Sequence, residues 1–164
     1  MSPRDLGLAV AAGALVFDQV SKLLLLFTFR FIDMVPGEAI HVLPFFNLVM
    51  VWNPGVSYGL FPASGPMGTA ILVVFQIIAV AGLSWWMWDS NRRSLTIGQG
   101  LVIGGALGNV IDRLIYGKVA DFFHFYAFGY DWYVFNVADV AITFGAMALM
   151  YDVLKPEPQA STGA

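Results

Sequence analysis

The 164-residue sequence contains no cysteine, which excludes disulfide bonds, thiolate metal sites and cysteine nucleophiles together. Charged residues are also scarce, at 12% of the chain against about 25% in soluble domains. Because no run of basic residues occurs, a phosphate-neutralising surface for nucleic acid is excluded. Hydrophobic residues instead make up 59% of the chain, and the mean hydropathy is +0.74. This composition predicts a protein built inside a lipid bilayer.

Histidine is nearly absent as well. Neither His41 nor His124 has a glutamate or a cysteine at metal-ligand spacing, so we expect no metal and no cofactor. The G-x-S-x-G pattern that marks a nucleophilic serine does not occur either. His124 follows Asp121 by three residues. We interpret it either as a group that modulates Asp121 or as an ordinary interfacial histidine.

Four segments have the roughly 20 apolar residues that a membrane-spanning helix needs. They cover about residues 6–29, 67–88, 95–111 and 132–151. We therefore expect an all-α integral membrane protein with a single four-span domain over residues 1–155. Residues 156–164 are predicted to be a disordered cytoplasmic tail.

The basic residues of the short loops set the predicted orientation, since such residues favour the cytoplasmic side. Arg4, Arg92, Arg93 and Lys155 all fall on one side of a four-span chain. Both termini are therefore predicted to be cytoplasmic. The two longer segments, about residues 30–66 and 112–131, then lie on the outer face.

Both outer segments have a recognisable character. Residues 45–52 (FFNLVMVW) are rich in β-forming side chains and end in an Asn-Pro-Gly turn signal, which predicts a small β-like segment on the outer face. Residues 119–128 (VADFFHFYAF) are mostly aromatic. We expect them to rest at the level of the lipid headgroups.

Several polar residues interrupt the predicted spans, where an ionisable group costs on the order of 2.5–3.5 kcal/mol. Asp18 and Lys22 are spaced to pair on one helical face, either to orient the first span or to support a site. The third span contains small-xxx-small glycine steps, for which close helix packing is the favoured explanation. At its outer end, Asn109 is interpreted as a positioned hydrogen-bonding group and Asp112-Arg113 as a helix-end ion pair.

Two aspartates are predicted to meet near the outer surface. Asp121 follows the third span, and Asp139 is expected about two turns into the fourth, on the same helical face as Asn136. Two close carboxylates can share one proton, so that one acts as a base on water and the other as an acid toward a carbonyl. That is aspartic peptidase chemistry, although any two aspartates of the outer face would fit this spacing. The remaining acidic residues are interpreted as solvated charges: Asp33, Glu38, Asp131, Asp152 and Glu157.

Taken together, five motifs resemble the bacterial lipoprotein signal peptidase family, also called signal peptidase II. They stand in the family's order at residues 18–22 (DQVSK), 53–59 (NPGVSYG), 104–113 (GGALGNVIDR), 119–122 (VADF) and 135–139 (FNVAD). The resemblance extends over about residues 15–152. It departs from the family in the second motif, at Pro54, Tyr58 and Gly59.

The resemblance implies a four-span aspartic endopeptidase that cuts the signal peptide from prolipoproteins, on the N-terminal side of a diacylglyceryl-modified cysteine. It implies that Asp121 and Asp139 are catalytic, and that further matching positions surround the site or bind the inhibitor globomycin. Those positions are Asp18, Lys22, Asn53, Gly105, Asn109, Arg113, Asn136 and Ala138. We expect a monomer in the bacterial inner membrane, with lipidated prolipoproteins and membrane lipid as its partners and with its site on the outer face.

Two other classes of protein compete with this interpretation. A small transporter or proton relay would use Asp18, Lys22, Asp121 and Asp139 in series, and should place acidic groups along the depth of the membrane. Here most of the polar residues gather at the outer end. A structural assembly subunit built on the glycines of the third span would not explain Asp121 or Asp139.

Overall fold

A computed structural model describes residues 1–55 and 65–155 of the chain. In it, four helices are long and apolar enough to cross a membrane, as the sequence predicts. The bounds of the helices are α1 at Pro3–Leu23, extended by a π-helical turn at Leu24–Thr28, α2 at Gly65–Trp88, α3 at Arg93–Tyr116 and α4 at Val137–Leu154. The tail at 156–164 and the end of the second motif, residues 56–59, lie outside the described residues.

Helix α3 is the central element, and it packs against α1, α2 and α4. Its most apolar window is 67% buried, whereas the corresponding windows of the other three helices are at most 22% buried. Glycines explain this close packing. A Cβ added to Gly104 would collide with the Ala11 carbonyl oxygen of α1, and one added to Gly105 would lie 2.5 Å from the Ala138 carbonyl oxygen of α4. The packing role predicted for the glycines is confirmed.

Four antiparallel strands form a small sheet in the order β1-β2-β3-β4. Their bounds are β1 at Ala39–Leu43, β2 at Phe46–Asn53, β3 at Val119–Ala127 and β4 at Tyr130–Asp131. The β-prone run at residues 45–52 is confirmed as β2. The aromatic run was expected only as a segment at headgroup level, and it is strand β3. Its Val, Phe and Tyr side chains favour a strand, and eight of its nine residues pair with a residue of β2 or β4.

Two predicted helix ends are wrong. Helix α3 continues through Asp112 and Arg113 to Tyr116, because both charges have partners inside the protein, and it ends at Gly117 in the left-handed conformation. Helix α4 begins at Val137, so the segment from residue 132 to residue 136 precedes it rather than forming its first turns.

Asp152 was interpreted as a solvated charge, but its side chain is only 3% exposed. It accepts hydrogen bonds from Arg92 at 2.8 Å and from the Ser94 hydroxyl at 2.9 Å. Both donors lie at the start of α3, so this ion pair joins α3 to the end of α4. The sequence shows no helical spacing between these residues that could have predicted it.

Candidate active site

Asn136 joins the two aspartates that the sequence analysis selected. It is the residue that precedes α4, and its side-chain oxygen accepts a hydrogen bond from the backbone N–H of Asp139 at 3.0 Å. Its side-chain nitrogen donates to Asp121 Oδ1 at 2.6 Å. The Asp139 carboxylate in turn accepts from the Asn136 backbone N–H, which completes a capping box. Asp139 therefore lies in the first turn of α4, not two turns into it as expected.

Asp121 lies in β3 with its side chain fully enclosed. Its second oxygen accepts from the Asn53 side chain of β2 at 3.0 Å. Burial first, and the charge of Asp139 second, raise the pKa of Asp121 to about 8 against the opposing hydrogen bonds from Asn53 and Asn136. At neutral pH the Asp121 carboxyl is thus predominantly protonated.

Asp139 differs from Asp121 because it is half-buried and lines a cavity of about 430 Å³. Asn109 of α3 donates to its Oδ1 at 3.1 Å, as expected of a positioned hydrogen-bonding group. The cavity lies among α2, α3 and α4, and most of its lining is apolar. The polar part of the lining is formed by Asn53, Gln76, Asn109, Arg113, Asp139 and Thr143. One carboxyl is therefore enclosed and the other is open to a ligand.

Behind the aspartates, three buried charges form one cluster. Lys22 Nζ lies 2.8 Å from Asp18 Oδ2 and 2.8 Å from Asp112 Oδ2. All three side chains are at most 3% exposed. The predicted pairing of Asp18 with Lys22 is confirmed. The predicted helix-end pair is wrong, because Asp112 turns toward Lys22 rather than toward Arg113.

Arg113 connects the cavity to the residues that follow β2. Its Nη2 donates to the Gly55 carbonyl at 2.7 Å, and its Nη1 donates to Gln76 of α2 at 3.0 Å. Sequence reasoning did not select Gln76. The available signal was a lone amide side chain in the middle of an uncharged span.

The remaining candidate residues of the sequence analysis, Gly105, Ala138 and the two histidines, have the following contacts. A Cβ added to Gly105 would lie 2.5 Å from the carbonyl oxygen of Ala138, the residue before Asp139, so α3 and α4 pack closely beside the site. The ring of His124 lies 3.3 Å from Asp131, and its strand position opposes Asn47. His41 contacts Asn47 at 2.8 Å. Within residues 1–55 and 65–155, no group of three acidic, histidine or cysteine side chains is arranged to hold a metal ion.

Comparison with known proteins assigns this architecture to a family. The family model described as signal peptidase (SPase) II matches residues 10–155. The lipoprotein signal peptidase of Rhodopseudomonas palustris (strain ATCC BAA-98 / CGA009) is 48% identical, with 98% of each chain covered. The chain belongs to the signal peptidase II family.

Other relatives of the signal peptidase II family agree with this assignment. The lipoprotein signal peptidase of Nitrobacter hamburgensis is 49% identical over 98% of each chain. Two solved structures described as bacterial membrane enzymes superpose with TM-scores of 0.81 and 0.76, at 27% and 30% identity. The first covers 96% of this chain and 93% of its own, and the second covers 91% and 92%. The four-span fold with a small sheet is therefore that of a membrane peptidase.

The raised pKa of Asp121 predicts how stability depends on pH. The folded protein holds this proton up to about pH 8, whereas an unfolded aspartate loses it near pH 3.8. Between these values the folded state binds more protons, so the free energy of unfolding falls as pH rises, by at most about 1.4 kcal/mol per pH unit from Asp121. Asp121→Asn lacks this contribution, and its unfolding free energy should fall less steeply from pH 4 to 8. Denaturant unfolding in one detergent measures both slopes, and equal slopes would contradict the enclosed, protonated Asp121.

Proposed function

We propose that this chain is an aspartic endopeptidase that removes the signal peptide from diacylglyceryl-modified prolipoproteins, cutting on the N-terminal side of the lipidated cysteine. One observation supports it above all others. A single asparagine, Asn136, holds both a buried Asp121 and a cavity-facing Asp139. The names of the relatives supply the substrate class.

The two carboxyl groups take complementary roles in the proposed reaction. Asp139, ionised and open to the cavity, accepts a proton from a water molecule as that water attacks the scissile carbonyl carbon. Asp121, protonated and enclosed, donates its proton to the carbonyl oxygen. The resulting tetrahedral diol collapses when Asp121 recovers its proton from a hydroxyl and Asp139 gives its proton to the departing amide nitrogen. Both carboxyl groups then return to their starting states.

The surrounding polar residues support these different roles of the two carboxyl groups. Asn53, Asn109 and Asn136 orient the carboxylates through their amide nitrogens. Arg113 lines the cavity and fixes Gly55, so it lies where a substrate backbone or a globomycin-type inhibitor would bind. Asp18, Lys22, Gly105 and Ala138 support the site without being among the described residues that line the cavity.

The cavity suits a lipid-dwelling substrate. Its lining includes Leu72, Phe75 and Ala79 of α2 and Ile142 of α4, all apolar. A signal helix and two acyl chains both partition into the bilayer, so the substrate reaches the site without crossing into water. This scheme uses no cofactor and no second copy of the chain. Membrane lipid surrounds both the enzyme and the lipidated substrate.

A transporter or proton relay is not favoured. Inside the helix bundle, the acidic residues fall into two separate groups. Asp18 and Asp139 lie near the start of α4, whereas Asp152, paired to Arg92, lies near its end. Such a gap interrupts a proton path. The decisive experiment is a gel-shift assay of purified protein in detergent on a diacylglyceryl prolipoprotein. A shift is expected, and the same prolipoprotein without the lipid should not be cut.

The orientation of the protein forms part of the proposal. In the bacterial inner membrane, both termini and Arg92-Arg93 should face the cytoplasm, and Asp121 should lie at the outer face. The chain contains no cysteine, so a single introduced cysteine reports its own side without background. A cysteine at position 131 should react with an impermeant maleimide in intact spheroplasts, and one at position 92 should not. Labelling at position 92 alone would reverse the orientation.

The activity should trace a bell against pH. The active form has one proton on the pair of carboxyl groups, so the rate falls when both are protonated or when neither is. The upper limb is expected near pH 8, where Asp121 loses its proton. Initial rates in one detergent from pH 4 to 10 measure both limbs. A flat profile over this range would contradict the shared proton, even if both aspartates proved essential.

A further inference from the structure

Each of the two aspartates follows an alanine whose backbone is held by another carboxylate. The N–H of Ala138 donates to Asp18 Oδ1 at 2.8 Å. The N–H of Ala120 donates to Asp112 Oδ2 at 3.1 Å. Ala120 and Ala138 immediately precede Asp121 and Asp139, and both are fully buried. A charged acceptor therefore holds the backbone N–H of the residue immediately before each proposed catalytic aspartate.

One ammonium group connects the two acceptors. Lys22 Nζ contacts Asp18 and Asp112 at 2.8 Å each, and it also donates to the Asn109 side-chain oxygen at 3.3 Å. The Gln19 side chain bridges the same two carboxylates, at 3.1 Å and 3.3 Å. Strand β3 and helix α4 thus meet the same lysine of α1 through one carboxylate each.

We propose that Lys22, acting through Asp18 and Asp112, is the positioning residue that fixes the separation of the Asp121 and Asp139 carboxyl groups. This inference rests on the proposed aspartic mechanism and assigns Asp112 a role in it. None of Lys22, Asp18 and Asp112 is among the described residues that line the cavity beside Asp139. Their effect must then pass through the backbone and through Asn109, not through contact with the substrate.

The energetics favour positioning over stabilisation as the role of this cluster. Removing three charges from water carries a desolvation penalty that their mutual attraction does not reliably exceed, so apolar side chains of similar size often stabilise a fold as well. What apolar side chains cannot do is accept two backbone N–H groups and hold the acceptors together. A shared proton requires that geometry, since the coupling of two carboxyl groups depends on their separation.

The test must separate position from charge. The pair of aspartates is faced by Asp18 and Lys22 from α1 and by Asp112 and Arg113 from α3, while β2 contributes the neutral Asn53. Lys22→Met combined with Asp112→Asn removes one positive and one negative charge, so the net charge around the pair is unchanged. The new amide can still accept from Ala120. The variant loses the connection between the two acceptors and also the Lys22 hydrogen bond to Asn109, while Gln19 can still donate to Asp18.

For this double variant, we expect kcat to fall by about 10- to 100-fold with KM little changed. The two limbs of the pH–rate profile should also move toward each other, because carboxyl groups that separate interact less. Asp112→Leu alone, which removes the oxygen that both Lys22 and the Ala120 N–H contact, should narrow the bell in the same way and displace it to lower pH, since a nearby negative charge is lost. If the double variant does not fold, the width of the pH–rate profile of this single variant tests the proposal.

Asp152→Asn provides the matched control, because Asp152 is also a buried, ion-paired carboxylate but lies at the opposite end of α4. Its bell should keep the wild-type width. A merely structural role for Lys22 would lower the rate equally at every pH, and unchanged limb spacing in the Lys22 and Asp112 variants would overturn the proposal. Failure of the aspartic mechanism itself would appear differently, as activity that survives in Asp121→Asn.

Discussion

Asp121→Asn and Asp139→Asn are each expected to lose cleavage of a diacylglyceryl prolipoprotein, by at least roughly 10²–10⁴-fold, the usual contribution of one acid–base group. An amide has nearly the shape of a carboxyl group but can neither accept the proton of water nor act as an acid. The two losses should not add, since the aspartates act as one unit. Initial rates in the gel-shift assay, at matched protein and detergent concentrations, measure the effect.

Asp131→Asn is the matched control for both variants. Asp131 lies in β4 of the same sheet, but its side chain is 79% exposed and faces His124. It should cleave at close to the wild-type rate. Unfolding curves establish that each variant is folded. Near-normal turnover by a folded Asp121 or Asp139 variant would contradict the proposed pair.

Gly105→Ala should produce the second large effect, although the change adds only one methyl group. That methyl would lie 2.5 Å from the Ala138 carbonyl oxygen and 2.9 Å from Ile142, distances that a real Cβ does not tolerate. Helix α4 must move away from α3 at its first turn, which contains Asp139. A displacement of about 1 Å at a reacting group can cost about 100-fold in rate. We therefore expect a fall of that order in kcat.

Gly82→Ala separates this steric effect from the general effect of replacing a helical glycine. Among the described residues, no atom outside the adjoining backbone of α2 lies within 4 Å of a Cβ built at Gly82, so this variant should keep wild-type activity. The comparison uses kcat and unfolding midpoints for both variants. Wild-type kcat in Gly105→Ala would mean that α4 can shift without disturbing Asp139.

The sequence alone predicts the four spans well, and it selects the two aspartates that the structure brings to one asparagine. Length and hydropathy locate four helices, and the proposed outer position of Asp121 follows from the order of the spans. The start of α4 is harder to predict from the sequence. Residues 132–136 are apolar enough to extend a helix, but Asn136 precedes its first turn as a cap. The Asn-x-x-Asp spacing at 136–139 signals such a cap.

Contacts between distant residues account for most of what the sequence did not predict. Asp112 was assigned to its neighbour Arg113, yet its partner Lys22 lies on another helix. Asp152 was interpreted as a solvated charge because its donors, at the start of α3, are far away in sequence. Strand β3 likewise depends on its pairing with β2. Charged groups inside a membrane protein are paired, and the identity of the partner depends on tertiary structure.

Product mass spectrometry tests the central claim most directly. Purified protein is incubated in detergent with a diacylglyceryl prolipoprotein, and the masses of both fragments are determined for the wild type and for Asp139→Asn. The proposed mechanism predicts one cut, directly before the lipidated cysteine, with an intact signal peptide as the other product and no cleavage by the variant. A cut at any other bond, or the same cut made by the variant, would contradict it.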